Sequence, residues 1–125
     1  MHALVIDDDK LNLTVLSQML SMQGISTSTI SAPITLDHVL LNLPPVNVVF
    51  LDLEMPKLDG YQVFARLKAD PRFNGVPIVA CTVHISEMSA LRDLGFDSFI
   101  GKPINAEAFP DQIHQILNGK SVWAI

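Results

Sequence analysis

The sequence predicts an α/β domain: a three-layer (βα)5 sandwich with helices on both faces of a parallel five-stranded sheet of order 2-1-3-4-5. Four observations carry this. Short apolar runs alternate with helical patterns about five times along 125 residues, and such alternation builds parallel sheets joined by right-handed crossovers. The run over 47–51 is wholly apolar from Val48 to Leu51, which suits a sheet centre buried on both faces. Ile25-Ser26-Thr27-Ser28-Thr29-Ile30 is β-prone but polar, which suits an edge. Finally, four apolar runs end in acids, a hydroxyl or an amine, and the carboxyl ends of strands are where open α/β sheets collect ligands.

The elements follow in order. Ala3-Leu4-Val5-Ile6 reads as the first strand, ending in Asp7-Asp8-Asp9. A helix over 10–22 puts Leu13, Leu16 and Leu20 on one face, with Asp9 placed to cap it and Gly24 to stop it. Residues 25–30 form the polar edge strand. Leu36, Val39, Leu40 and Leu43 predict a helix over 35–43, ended by Pro44-Pro45. The central strand follows and closes on Asp52, and a tight loop runs from Leu53 to Gly60. Asp59 and Gln62 resemble a capping box for a helix reaching about Ala69. Pro77 opens the fourth strand, Ile78-Val79-Ala80-Cys81, which ends in Thr82. A short helix over about 86–94 stops at Gly95. The fifth strand covers 97–100, is short enough for the other edge, and ends in Gly101-Lys102-Pro103. The last helix is expected over 106–117; Pro110 removes an N–H inside it, so a kink or a split first turn is expected. Residues 1–120 form the domain and 121–125 a C-terminal tail.

Composition narrows the function classes. The net charge is −5, from 8 basic and 13 acidic residues, which disfavours nucleic-acid binding by this domain. The apolar stretches are short and interrupted, so no membrane span is expected. Cys81 is the only cysteine, which leaves no intrachain disulfide framework. With no secretory pattern at the N-terminus, the expected location is cytoplasmic.

The predicted strand order puts the topological switch point between strands 1 and 3, hence between Asp7/Asp8 and Asp52. Three acids at one edge repel, which raises at least one pKa unless a cation intervenes. Mg²⁺, or Mn²⁺ in its place, suits such oxygen donors. The four histidines are scattered and offer no ligand spacing for other metals. A carboxylate can also take a phosphoryl group, whose charge a metal, the Lys102 ammonium and the Thr82 hydroxyl would share. Pro103 restricts the Lys102 backbone, and the Lys102–Pro103 bond is open to cis or trans.

Asp7-Asp8, Leu51-Asp52-Leu53-Glu54-Met55-Pro56 with Asp59-Gly60, Thr82 and Lys102-Pro103, in this order and at strand ends, resemble the receiver domain of two-component response regulators. The resemblance covers nearly the whole chain and implies the flavodoxin-like (βα)5 fold of the bacterial chemotaxis regulator. It implies Asp52 as phosphoacceptor, Asp8 as direct Mg²⁺ ligand with Asp7 acting mainly through water, and Glu54 as a ligand through its backbone carbonyl. Thr82 matches the switch hydroxyl, Phe99 the switch aromatic and Lys102 the phosphoryl-binding amine. Glu54, Val83 and His84 occupy positions that tune the lifetime of the phosphoryl group; Val83 is larger than the usual residue. The stretch from Thr82 to Lys102 is about two residues shorter than in familiar members, which trims helix 4 or its leading loop. The implied partners are a histidine kinase or histidine phosphotransfer protein and a downstream protein target. The fourth helix, fifth strand and fifth helix offer the output face and a surface for homodimer pairing. Such a domain is no enzyme toward other substrates: it catalyses only its own phosphorylation and autodephosphorylation.

Two other readings remain open on sequence. A degenerate receiver would bind partners without phosphorylation, against which the full set Asp7, Asp8, Asp52, Thr82 and Lys102 argues. A hydrolase with an aspartyl-phosphate intermediate would use Glu54 as its second acid, but one small domain offers little substrate pocket. Cys81 is expected in the core rather than as a redox sensor. With no output module after the last helix, a stand-alone receiver is the expected organisation, and a domain excised from a larger regulator or hybrid kinase stays open beside it.

Overall fold

In the computed structural model, which describes residues 1–124, the chain opens with β1 (His2–Ile6). Helix α1 (Lys10–Met22) starts where the Asp9 carboxylate accepts the Leu11 and Asn12 N–H groups at 2.9 and 3.4 Å, and it buries Leu13, Leu16 and Leu20. β2 (Ser26–Ile30) follows. Helix α2 (Pro33–Leu41) begins two residues before the apolar periodicity does, because proline is pre-set for the first helical turn and its missing N–H is not needed there. β3 (Val48–Asp52) is buried at every position and ends on Asp52 itself.

The loop after Asp52 is more ordered than its turn-rich sequence indicates. It folds into a small antiparallel hairpin, β4 (Glu54–Met55) with β5 (Leu58–Asp59). Helix α3 (Gly60–Ala69) then starts on an Asp59 cap that accepts the Tyr61 and Gln62 N–H groups. β6 (Ile78–Thr82) is again fully buried. A single 3₁₀ turn over Ile85–Glu87 leads into α4 (Met88–Leu94), which Gly95 ends with φ +107°, a conformation that only glycine adopts without strain. β7 (Ser98–Gly101) follows. The Asn105 side chain then accepts the Glu107 and Ala108 N–H groups at 2.9 and 3.2 Å and holds a turn. Helix α5 (Phe109–Leu117) starts only after it, with Pro110 in its first turn. The interruption expected from Pro110 is thus a split first turn.

The main sheet has the order β2-β1-β3-β6-β7-β8, all pairs parallel. Its first five members reproduce the order 2-1-3-4-5. The sixth, β8 (Trp123–Ala124), comes from the expected tail, so the fifth predicted strand is interior rather than an edge. Hydrogen bonds explain the addition: the Phe99 N–H donates to the Val122 carbonyl at 2.7 Å, and the Val122 N–H donates to the buried Ser98 hydroxyl at 2.9 Å. Ile125, the last residue of that tail, lies outside the described residues. No helix among the described residues is long and apolar enough to cross a membrane.

Two apolar layers sandwich the sheet. Leu36, Val63, Leu67, Leu91 and Phe99 fill one, beneath α2, α3 and α4. Leu16, Leu20, Phe50, Ile113 and Ile116 fill the other, beneath α1 and α5. Both clamp the central strands, and Asp52 and Thr82 come at their carboxyl ends.

Candidate functional site

β1 and β3 are direct neighbours, with Ile6 in register with Leu51. The residues that follow each strand therefore meet at the switch point. Carboxylate oxygens of Asp7, Asp8 and Asp52 all lie within 4.8 Å of one another; Asp7 and Asp52 are buried and Asp8 is exposed. β7 delivers Lys102 to the same place. Its ammonium donates to Asp7 Oδ2 at 2.8 Å and stands 3.4 Å from Asp52 Oδ2. The Lys102–Pro103 peptide is cis.

Backbone amides fix both buried acids. The Asp9 N–H donates to Asp7 Oδ1 at 2.9 Å, and the Glu54 N–H donates to Asp52 Oδ1 at 3.0 Å. Gly60 lies against the same backbone: a Cβ there would stand 2.8 Å from the Asp52 carbonyl oxygen and from the Leu53 Cα. The start of α3 therefore packs onto the backbone that carries Asp52 only because residue 60 has no side chain.

The charge balance follows from this geometry. Burial pushes the Asp52 carboxyl above the usual range; the Glu54 N–H and Lys102 oppose the rise, and Asp7 adds to it. The sequence expectation of a raised carboxyl holds, but its main cause is desolvation rather than repulsion. Burial works to lower the Lys102 ammonium, yet the hydrogen bond to Asp7 and the charges of Asp52 and Asp7 outweigh it and hold it above its ordinary value. Lys102 is thus a fixed cation, and Asp52 a carboxylate short of neutralising charge. Hard oxygen donors on two buried acids beside an exposed third fit a divalent ion such as Mg²⁺.

Thr82, in register with Gly101 of β7, ends β6 without any exposure. Its hydroxyl donates to the Glu54 carboxylate and accepts the His84 N–H at 3.1 Å. The other Glu54 oxygen stands 3.2 Å from His84 Nε2. Residues 54, 82 and 84 thus form one cluster at the rim, next to the exposed Val83. The Glu54 side chain as partner of Thr82 is absent from the sequence reading: it depends on the β4–β5 hairpin, which no periodicity announces. Phe99 is not part of this site. It is wholly buried in the layer beneath α4.

One further feature was not anticipated. A cleft of about 240 Å³ runs from Asp52 and Lys102 between α1 and the segment after β7, lined by Leu11, Val15, Pro103 and Ile104. Its sequence signal is the pair Leu11 and Val15, apolar and one helical turn apart on the face of α1 that does not build the core.

Comparison with known proteins agrees with this geometry. The model of the response regulator receiver domain family matches residues 3–114. The transcriptional regulatory protein GlrR of Escherichia coli K12 is 34% identical over 119 residues, covering 93% of this chain and 26% of GlrR. This chain spans about half or less of the length of the curated relatives it matches. The signal receiver domain of a DNA-binding response regulator from Colwellia psychrerythraea superposes with a TM-score of 0.80 at 27% identity, covering 94% of this chain and 98% of that one. The receiver domain of the sensor histidine kinase PA1611 from Pseudomonas aeruginosa, with a magnesium ion coordinated in its active-site cleft, gives 0.77 at 21% identity, covering 94% and 97%.

Proposed function

This chain belongs to the response regulator receiver domain family, and from that membership we propose that it accepts a phosphoryl group on Asp52 and thereby switches a protein-binding face. The observation that carries the proposal is the convergence of Asp7, Asp8 and Asp52 within 4.8 Å, bridged by Lys102 at the carboxyl edge of the sheet. The donor is a phosphohistidine on a histidine kinase or phosphotransfer protein. A carboxylate oxygen of Asp52 attacks phosphorus, the N–P bond breaks, and the imidazole leaves with a proton from solvent. Lys102 turns from Asp7 and Asp52 to a phosphoryl oxygen, exchanging one anionic partner for another. Thr82 leaves Glu54 for a second oxygen. Asp8, Asp52 and the Glu54 carbonyl would hold Mg²⁺, or Mn²⁺, directly, with Asp7 acting mainly through water. The ion supplies neutralisation of the charge that the transferred group spreads over its oxygens.

Catalysis is confined to this phosphoryl group, its gain and its hydrolysis. Glu54, Val83 and His84 surround the path of an attacking water and set the lifetime of the adduct. The added charge and acceptor oxygens rearrange β6 and β7, and Phe99 carries the change to the face of α4, β7 and α5, which binds the downstream target or a second copy. The cytoplasm, where the lone Cys81 stays reduced, is the compartment this reading requires.

Intact mass after incubation with Mg²⁺ and a phosphoramidate donor tests the proposal. One added phosphoryl group is expected in the wild type, none in Asp52→Ala and none without the metal. A chain that binds Mg²⁺ yet takes no phosphoryl group from either a small donor or a histidine kinase would contradict it and leave a phosphorylation-independent binding module.

A further inference from the structure

The output face expected of this fold is not open in this chain. β8 lies along the outer edge of β7, with Phe99 in register with Trp123 and Ile100 with Ala124. Trp123 packs on the layer beneath α4, where the Arg92 guanidinium sits 4.2 Å from its ring centroid. Val122 and Ala124 pack on the layer beneath α5. The three residues therefore fill the seam between α4 and α5, which is the surface a partner of this face would need.

The seat is specific but slight. Phe99 and Ser98 offer Val122 a donor and an acceptor in extended register. The strand is only two residues long, and Trp123 and Ala124 are half-buried. Few bonds and partial burial put such a segment at the low end of local stability.

It is also wired to the acid cluster. Lys102, which bridges Asp7 and Asp52, directly follows β7, and its N–H donates to the Thr82 carbonyl at 3.0 Å. A phosphoryl group that draws Lys102 and the Thr82 hydroxyl toward itself moves the end of β7. Phe99 stands three residues back, with no exposure and Trp123 packed on its layer. It is the strand partner of Trp123, so a change in its position alters what Trp123 rests on.

We propose that Val122–Ala124 closes the α4–β7–α5 face as a strand taken from the chain itself, and that phosphorylation of Asp52 releases it, freeing the β7 edge for an extended partner segment. The partner chemistry follows from what it replaces: an extended segment carrying an aromatic residue over Arg92, flanked by apolar residues on the α5 side. The inference rests on Asp52 phosphorylation as proposed above.

Trp123 is the only tryptophan, so its fluorescence reports this strand alone. The full chain is followed by intact mass and by acrylamide quenching of Trp123 in the same samples, with and without Mg²⁺ and phosphoramidate. Release predicts that the phosphorylated species quenches more readily, with emission shifted to the red. In the unphosphorylated chain, Arg92→Ala and Val122→Pro remove the cation over the ring and the bond to Ser98; both should already show the quenching of the released state and still accept the phosphoryl group. A mass adduct with Trp123 quenching unchanged overturns the strand release and leaves the phosphoacceptor reading standing. No adduct at all is a failure of the phosphoacceptor reading, and the release falls with it.

Discussion

Lys102 decides what Asp52 can do. Among the described residues it is the one cation paired with the two buried carboxylates, and without a metal it cannot neutralise both. Asp52 is the less well served: its carboxyl is raised by burial, so in the metal-free chain its protonated form supports the fold. That contribution is complete below the unfolded-state pKa near 3.9 and is lost as pH rises through the folded-state value. Asp52→Asn should therefore raise the urea midpoint in a chelator at neutral pH, and its advantage over wild type should shrink toward pH 4. A midpoint unchanged or lowered at neutral pH would contradict this charge balance. Cys81 makes a second residue-scale prediction. Burial pushes its thiol up to about 12, so iodoacetamide at pH 8 should leave the native chain unmodified and alkylate it in urea. Asp7, Asp8, Asp52, Thr82 and Lys102 were legible in the sequence because each follows an apolar run. The Glu54–Thr82 bond was not, because it needs a side chain folded back across a hairpin.

Among the elements, α1 and α3 carry the clearest written signals. Asp9 and Asp59 cap them as their spacing indicates, and Asp9→Ala should cost about 1 kcal/mol in urea unfolding. Gly60 is a stricter requirement, since a Cβ there meets the backbone of Asp52 and Leu53 at 2.8 Å. Gly60→Ala should destabilise the fold by about 1–3 kcal/mol and should slow phosphorylation as well, because the same backbone positions the acceptor. A stable variant with unaltered phosphorylation would show that the start of α3 has slack. Other boundaries shifted for local reasons. α2 begins early at Pro33, and α5 begins late because Asn105 holds the preceding turn. β8 was not legible: two strand residues have no periodicity, and their partners, Phe99 and Ile100, lie some two dozen residues earlier.

Across the whole molecule, strand order is what assembles the site. The polar second run and the apolar third run were enough to place β1 between β2 and β3, and that placement alone brings Asp7 and Asp8 to Asp52. Mg²⁺ should then act on the entire fold by linkage: at a hundredfold excess over its Kd it should add about 2.7 kcal/mol to stability. Asp8→Ala should lose most of that gain in a thermal melt. The central claim is that this fold exists to present one carboxylate to a phosphoryl group, and its most direct test is chemical. The chain, incubated with Mg²⁺ and phosphoramidate, is reduced with borohydride, which converts an acyl phosphate to an alcohol, and its peptides are mapped by mass. Homoserine is expected at position 52 and nowhere else. Reduction at Asp7, Asp8 or Glu54 instead, or at no carboxylate while Mg²⁺ binds, would contradict it.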